Sequence, residues 1–171
     1  MKIIIAGAGE VGFHLAKLLS YESQEITLID PKKDSLVYAD THLDIKVLKG
    51  DATSIKLLTE AKVDTTELFI AVTSSQSTNI TACVLAKELG AKNTIARISN
   101  TEFIDYSGKA GFTKFGIDEL ISPESLAAKE IELLLNQSVF NDTYEFENGA
   151  LTMLGLNLKK TAKIVGKSVK E

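Results

Sequence analysis

The amino-acid sequence predicts an α/β fold, in which a doubly wound, six-stranded parallel sheet with helices on both faces is followed by a short β-rich C-terminal extension. Short apolar runs alternate with longer amphipathic or polar runs over residues 1–137. The fourth apolar run, residues 68–72, is uninterrupted, which is typical of a central parallel strand covered on both faces. A glycine-rich turn after the first apolar run indicates a tight strand-to-helix connection.

The predicted elements alternate along the chain. Strands are predicted at residues 2–6, 25–29, 45–48, 68–72, 94–98 and 119–121. Helices are predicted at about 32–41, 54–62, 102–110 and 123–137, with one more after the first glycine turn and a long one ending at Gly90. Pro31 and Pro123 suit helix starts, where a missing N–H costs nothing, and Gly90 suits a C-terminal cap.

Residues 138–171 have a different pattern. Strands at about 143–146 and 150–158 flank a turn signal at 147–149, which predicts a β-hairpin. The rest of this segment is rich in lysine and stops in mid-pattern, so we expect a hairpin or linker and the start of a truncated C-terminal lobe. The predicted domains are therefore residues 1–137 and residues 138–171.

The glycine turn carries the main functional signal. Gly7 permits a tight turn off the strand, Gly9 lets a pyrophosphate approach the backbone, and Gly12 lets the next helix pack against the sheet. The helix N-terminus would direct its free N–H groups at the phosphates. Asp30 follows the second strand, 23 residues after Gly7, where a carboxylate can accept hydrogen bonds from ribose hydroxyls. The pattern predicts a Rossmann-like dinucleotide site, and the alternative is a tight turn without a ligand.

The other strand ends carry further candidates. Asp51 either contacts an adenine amino group or caps the next helix, and both roles are compatible. Thr73 and Ser74 either face a ligand or make ordinary turn and cap bonds. Arg97 is a charge in an apolar strand, so it needs either a ligand phosphate or carboxylate or an internal acid such as Glu124. Asn79, in the helix after Ser74, is expected to point to the site or to solvent.

Composition argues against several other classes of protein. The net charge is −4, the pI is about 5.3, and aromatic residues make up 6% without any tryptophan, so a nucleic-acid surface is not expected. The single cysteine, Cys83, lies in an apolar helical run and is expected to be buried. No metal site, membrane span or signal peptide is indicated, so we expect a cytosolic protein. No residue stands in an evident catalytic context, which favours binding without turnover.

Six segments follow one another in a characteristic order: residues 2–12, Asp30, residues 50–53, residues 71–74 with Asn79, residues 96–98 and residues 121–124. Together they resemble the TrkA N-terminal domain family, also called RCK or KTN. The resemblance covers about residues 1–137 and implies a regulatory subunit, not an enzyme. The resemblance also implies binding of NAD(H), and of ATP or ADP as in some relatives. It further implies dimers that build a ring beneath a membrane potassium channel or transporter, on the cytoplasmic side.

Carried over by position, the family's nucleotide contacts fall on ten residues of this chain. They are Gly7, Ala8, Gly9, Glu10, Val11, Asp30, Asp51, Thr73, Ser74 and Arg97. Residues 75–78 lack the acids that relatives often carry there, so a regulatory contact made by those acids is not expected. The apolar helix after Ser122 is a candidate for dimer contacts, and the alternative is ordinary packing within the domain. The rival interpretations are a nucleotide-binding fragment of an NAD-dependent oxidoreductase and a free-standing redox or nucleotide sensor that acts on another partner.

Overall fold

The computed structural model describes residues 1–22, 24–104, 111–136, 142–146, 151–155, 158–162 and 164–168. The chain divides into two compact units, Met1–Glu124 and Ser125–Glu171. The domain limit near residue 137, and the truncated lobe beyond it, stay predictions.

The first unit is built on a six-stranded parallel sheet, which confirms the predicted fold class. The strands are β1 Lys2–Ala6, β2 Glu25–Asp30, β3 Lys46–Lys49, β4 Leu68–Ala71, β5 Asn93–Arg97 and β6 Glu119–Ile121. They lie in the order β3-β2-β1-β4-β5-β6, and every neighbouring pair is parallel. Because the order reverses between β1 and β4, a crevice is expected where the carboxyl ends of these two strands diverge.

Helices connect the strands. They are α1 Glu10–Ser20, α2 Lys33–His42, α3 Ile55–Glu60, α4 Gln76–Glu88 and α5 Pro123–Asn136, with short 3₁₀ turns at Val63–Thr65 and Phe112–Phe115. The predicted bounds agree to within a few residues. The side chain of Ser54 caps α3 by accepting from Leu57 N–H. Of the helix predicted at 102–110, residues 102–104 are helical and the rest lies outside the described residues.

The core explains why the strands are apolar without alternation. Ile3 and Ile5 pack on one face of the sheet and Ile4 on the other, and all three are fully buried. Each such side chain contributes about 1.5–3 kcal/mol when removed from water. A polar residue on either face of β1 would therefore lose this contribution and need a partner.

The second unit contains the predicted hairpin. β7 Asp142–Phe146 pairs antiparallel with β8 Leu151–Gly155. The turn predicted at 147–149 lies outside the described residues. Within the described ranges, no helix combines the length and the apolar character needed to cross a bilayer.

Candidate functional site

A cleft of about 560 Å³ opens at the carboxyl edge of the sheet, where the strand order reverses. Nine of the ten predicted site residues line it: Gly7, Gly9, Glu10, Val11, Asp30, Asp51, Thr73, Ser74 and Arg97. The parallel sheet brings them together because all its strands end at this edge. That any of them contacts a ligand stays a prediction.

Gly7 and Gly12 must be glycines because a side chain at either position would overlap backbone atoms of the fold. Gly7 has φ +110°, and a Cβ there would lie 2.9 Å from the backbone N of Thr73. A Cβ on Gly12 would lie 1.8 Å from the carbonyl oxygen of Gly7. Both contacts involve backbone atoms that cannot move aside, so α1 approaches the sheet closely only because these positions lack side chains.

Gly9 differs from the other two. Its φ is −73° and its ψ is −173°, which any residue can adopt. A Cβ on Gly9 would meet no atom within 4 Å and would project into open space. The fold therefore does not explain the glycine. A group approaching the backbone from the cleft would explain it.

Gly9 also lies immediately before α1. Gly9 is the N-cap and supplies no side-chain cap, so the first N–H groups of the helix have no side-chain acceptor there. These groups carry a partial positive charge and are suited to a phosphate. Glu10 lies in the first turn, where a carboxylate is favoured by the dipole.

Asp30 joins two turns through its carboxylate. Oδ2 accepts from the Ala8 N–H at 2.7 Å, and Oδ1 accepts from the Lys32 N–H at 2.7 Å. Ala8, the tenth predicted residue, is buried and is not among the residues lining the cleft. Its backbone holds Asp30 in place. Each carboxylate oxygen can accept a second bond, so Asp30 keeps the capacity to receive ribose hydroxyls.

Asp51 makes a local turn at the end of β3. Its Oδ1 accepts from the N–H and from the hydroxyl of Thr53, each at 2.8 Å. The backbone N–H and then the hydroxyl of Thr53 hold the pKa of Asp51 below its ordinary value. Asp51 therefore forms the turn at this strand end, but the prediction that it caps the next helix is wrong, because Ser54 is the N-cap of α3. Asp51 still lines the cleft, so a ligand role remains compatible.

Asn79 points neither to the site nor to solvent, contrary to both expectations. It is 1% exposed, and its side chain lies between the ends of β4 and β5. Oδ1 accepts from the N–H of Thr73 at 2.9 Å and from its hydroxyl at 2.6 Å. Nδ2 donates to the carbonyls of Thr73 at 3.1 Å and Arg97 at 2.8 Å. Asn79 thus holds the backbone of two residues that line the cleft.

Thr73 and Ser74 begin the loop after β4. The Thr73 hydroxyl is also 3.2 Å from the carbonyl oxygen of Ser75, and it accepts from the Ser75 N–H at 3.2 Å. These are the turn bonds that the sequence left open as an alternative. Ser74 is exposed and lines the cleft.

Arg97 ends β5 beside the cleft. Its guanidinium donates to Oε1 of Glu124 at 2.7 Å, and the two side chains are 25% and 56% exposed. The pKa of Glu124 is lowered first by a hydrogen bond from its own backbone and then by Arg97. The internal ion pair considered from the sequence is therefore formed, while the side of Arg97 that lines the cleft leaves the ligand role open.

Several lining residues were not predicted from the sequence. They are Ile29, Pro31, Lys32, Ser35, Ala52, Val72, Ser75 and Thr78. All lie within five residues of a predicted strand-end candidate. Adjacency to those strand ends was the available signal.

Cys83 is buried in α4 and does not face the cleft. It donates to the carbonyl of Ile95 at 3.3 Å, and burial raises its pKa to about 12. It is a packing residue, as predicted. In the described part of the chain no group of three or more histidine, cysteine and acidic residues is placed to hold a metal ion.

The strand order, the glycine turn and the acid after β2 define a Rossmann-like domain of the nucleotide-binding class. The sequence model of the TrkA-N domain family matches residues 3–123. The chain therefore belongs to the TrkA-N domain family, as its sequence predicted.

Relatives of similar sequence carry related names. The chain is 34% identical to the Trk system potassium uptake protein TrkA homolog of Methanothermobacter thermautotrophicus, covering 99% of this chain and 76% of that protein. It is 33% identical to the homolog of the same name from Archaeoglobus fulgidus, covering 99% of this chain. It spans only 38% of that second relative.

Solved structures share the fold. GsuK bound to ADP is 27% identical, with a TM-score of 0.64 over 80% of this chain and 34% of that chain. The GsuK channel bound to NAD aligns with a TM-score of 0.58 at 18% identity, over 71% of this chain and 21% of that chain, which shows the fold alone.

Proposed function

We propose that this chain is the nucleotide-sensing part of a regulatory subunit for potassium uptake. It binds NAD(H), with ATP or ADP as competing ligands, and controls a membrane potassium channel or transporter through a conformational change of an RCK assembly. It performs no chemistry on the nucleotide. Residues 1–137 act as the nucleotide-binding domain, and residues 138–171 begin a further lobe.

The open space beside Gly9 carries this proposal. The conformation of Gly9 needs no glycine, and its missing Cβ leaves open space at a residue that lines the cleft. A pyrophosphate seated there would meet the uncapped N–H groups of α1. Asp30, one strand away and already oriented by Ala8 and Lys32, would receive the ribose hydroxyls. Arg97 would stand at the other end of the ligand.

Membership of the family supports the potassium-uptake role, because both relatives above are named as Trk system potassium uptake proteins. Self-association as a dimer or larger ring is supported by the apolar surface of α5. Leu126, Ile131 and Leu134 are each about 60% exposed there. We place the subunit in the cytoplasm, bound to the inner face of the membrane through its transporter.

The test compares wild type with Gly9→Ala by titration calorimetry with NADH, NAD, ATP and ADP. The new methyl group fills the space proposed for the pyrophosphate but clashes with no protein atom. We expect wild type to bind at least one nucleotide more tightly than about 1 mM, near −4 kcal/mol, and the variant to lose about tenfold or more. Circular dichroism should show an unchanged fold.

Ser77→Ala is the matched control, because Ser77 is exposed on α4 and does not line the cleft. Its affinities should equal those of wild type. Failure of all four nucleotides to bind wild type would refute the proposal. In cells, Gly9→Ala in the full-length protein should alter potassium uptake. NADH oxidation by the wild-type full-length protein with a small carbonyl compound would instead favour the oxidoreductase interpretation.

A further inference from the structure

The cleft is asymmetric in charge along its length. Asp30 ends β2 and Arg97 ends β5, three strand positions apart in the sheet, or about 14 Å at the usual strand spacing. The glycine turn after β1 lies between them, one strand position from Asp30 and two from Arg97. A nucleotide with its ribose at Asp30 and its phosphates at the turn would therefore direct its distal group toward Arg97.

Glu124 would compete with a ligand for the guanidinium of Arg97. Glu124 accepts its hydrogen bond at 2.7 Å from outside the cleft lining. Glu124 stands in the first turn of α5 and is 56% exposed, so its carboxylate is held in place by this contact without being enclosed. A ligand group that reaches Arg97 meets a cation already paired with a carboxylate.

Nucleoside triphosphates and dinucleotides differ in the negative charge that they would place near Arg97. A nucleoside triphosphate carries its negative charge to its terminus and must displace Glu124 or lie close to it. A dinucleotide continues beyond its pyrophosphate with a second nucleoside, whose sugar and ring bring no negative charge. A carboxylate beside Arg97 therefore disfavours the first class by charge repulsion and leaves the second unaffected.

We infer that Glu124 is a specificity-determining residue that biases the cleft toward dinucleotides and against nucleoside triphosphates by occupying the guanidinium of Arg97. This inference rests on the proposed nucleotide-binding function. It assigns the choice among nucleotides to one contact at the distal end of the cleft. The residues at the glycine turn would serve both ligand classes alike.

The test measures the ratio of ATP to NADH affinity by titration calorimetry in a metal-free buffer, so that the charge of ATP is not masked. Glu124→Gln keeps the size of the side chain and removes its charge. The ion pair is partly exposed, so its loss should raise the affinity for ATP by about two- to fivefold with little change for NADH. Adding Arg97→Ala to Glu124→Gln should abolish the gain.

Glu130→Gln is the matched control, because it removes the same charge from an exposed position of α5 that does not line the cleft. It should leave the ratio unchanged. A ratio that is equal in wild type and Glu124→Gln, with both nucleotides bound, would overturn this inference and leave the proposed function intact. An equal gain in Glu130→Gln would also overturn the inference alone. Absence of binding to wild type would overturn both.

Discussion

Asn79 offers the sharpest test of how the cleft is held. Asn79→Ala removes an amide that bonds to the N–H of Thr73 and to the carbonyl of Arg97. Leaving these two part-buried backbone groups unpaired should cost about 2–4 kcal/mol, at about 1–3 kcal/mol for each group. The helix propensity gained by alanine returns only about 0.5 kcal/mol.

The assay is urea denaturation followed by circular dichroism, combined with amide hydrogen exchange. We expect a lower midpoint and faster exchange at the Thr73 N–H, because that N–H donates to Asn79 Oδ1. Thr81→Ala, at an exposed position of the same helix, controls for helix propensity. If Asn79→Ala is as stable as this control and exchange at Thr73 is unchanged, the reasoning is refuted.

Three further predictions concern packing and charge. Gly12→Ala should cost about 3 kcal/mol or more, since its Cβ would overlap the carbonyl of Gly7, and a thermal shift measured on soluble protein checks this. Burial acts to raise the pKa of Asp118, but hydrogen bonds, first among them the one from Lys87, lower this pKa overall. The ionised carboxylate therefore stabilises the fold at pH values above its unfolded pKa, and this stabilisation is lost as the pH falls through its folded pKa. Asp118→Asn should flatten the acid side of the stability–pH curve, and an unchanged slope would contradict this. Cys83, buried with its pKa raised to about 12, should react with a thiol reagent only after unfolding, and rapid reaction of the folded protein would contradict that packing.

Local sequence patterns were sufficient to predict the helices and strands and many of the residues that line the cleft. Residues 2–6 are predicted as a buried strand from their own apolar side chains, and β1 is Lys2–Ala6. Because parallel strands end at a common edge, knowing the strands was enough to predict that Asp30, Asp51, Thr73 and Arg97 lie around one cleft.

Contacts between residues that are far apart in sequence could not be predicted from local patterns. Asn79 lies in a polar segment, and its sequence neighbours do not show that α4 turns it inward between two strand ends. The bond from Ala8 to Asp30 joins residues 22 positions apart. These contacts depend on how helices pack on the sheet, which is set by the whole core.

The sequence by itself determined the fold class, the family and the strand ends that carry the candidate site, because hydrophobic periodicity and glycine spacing are local properties. Only the tertiary structure decided which candidates are already engaged. It paired Arg97 with Glu124, used Asp30 to brace the glycine turn, and left open space beside Gly9. The reason is physical: a hydrogen bond or a vacant volume depends on atoms brought together by folding, which no single stretch of chain contains.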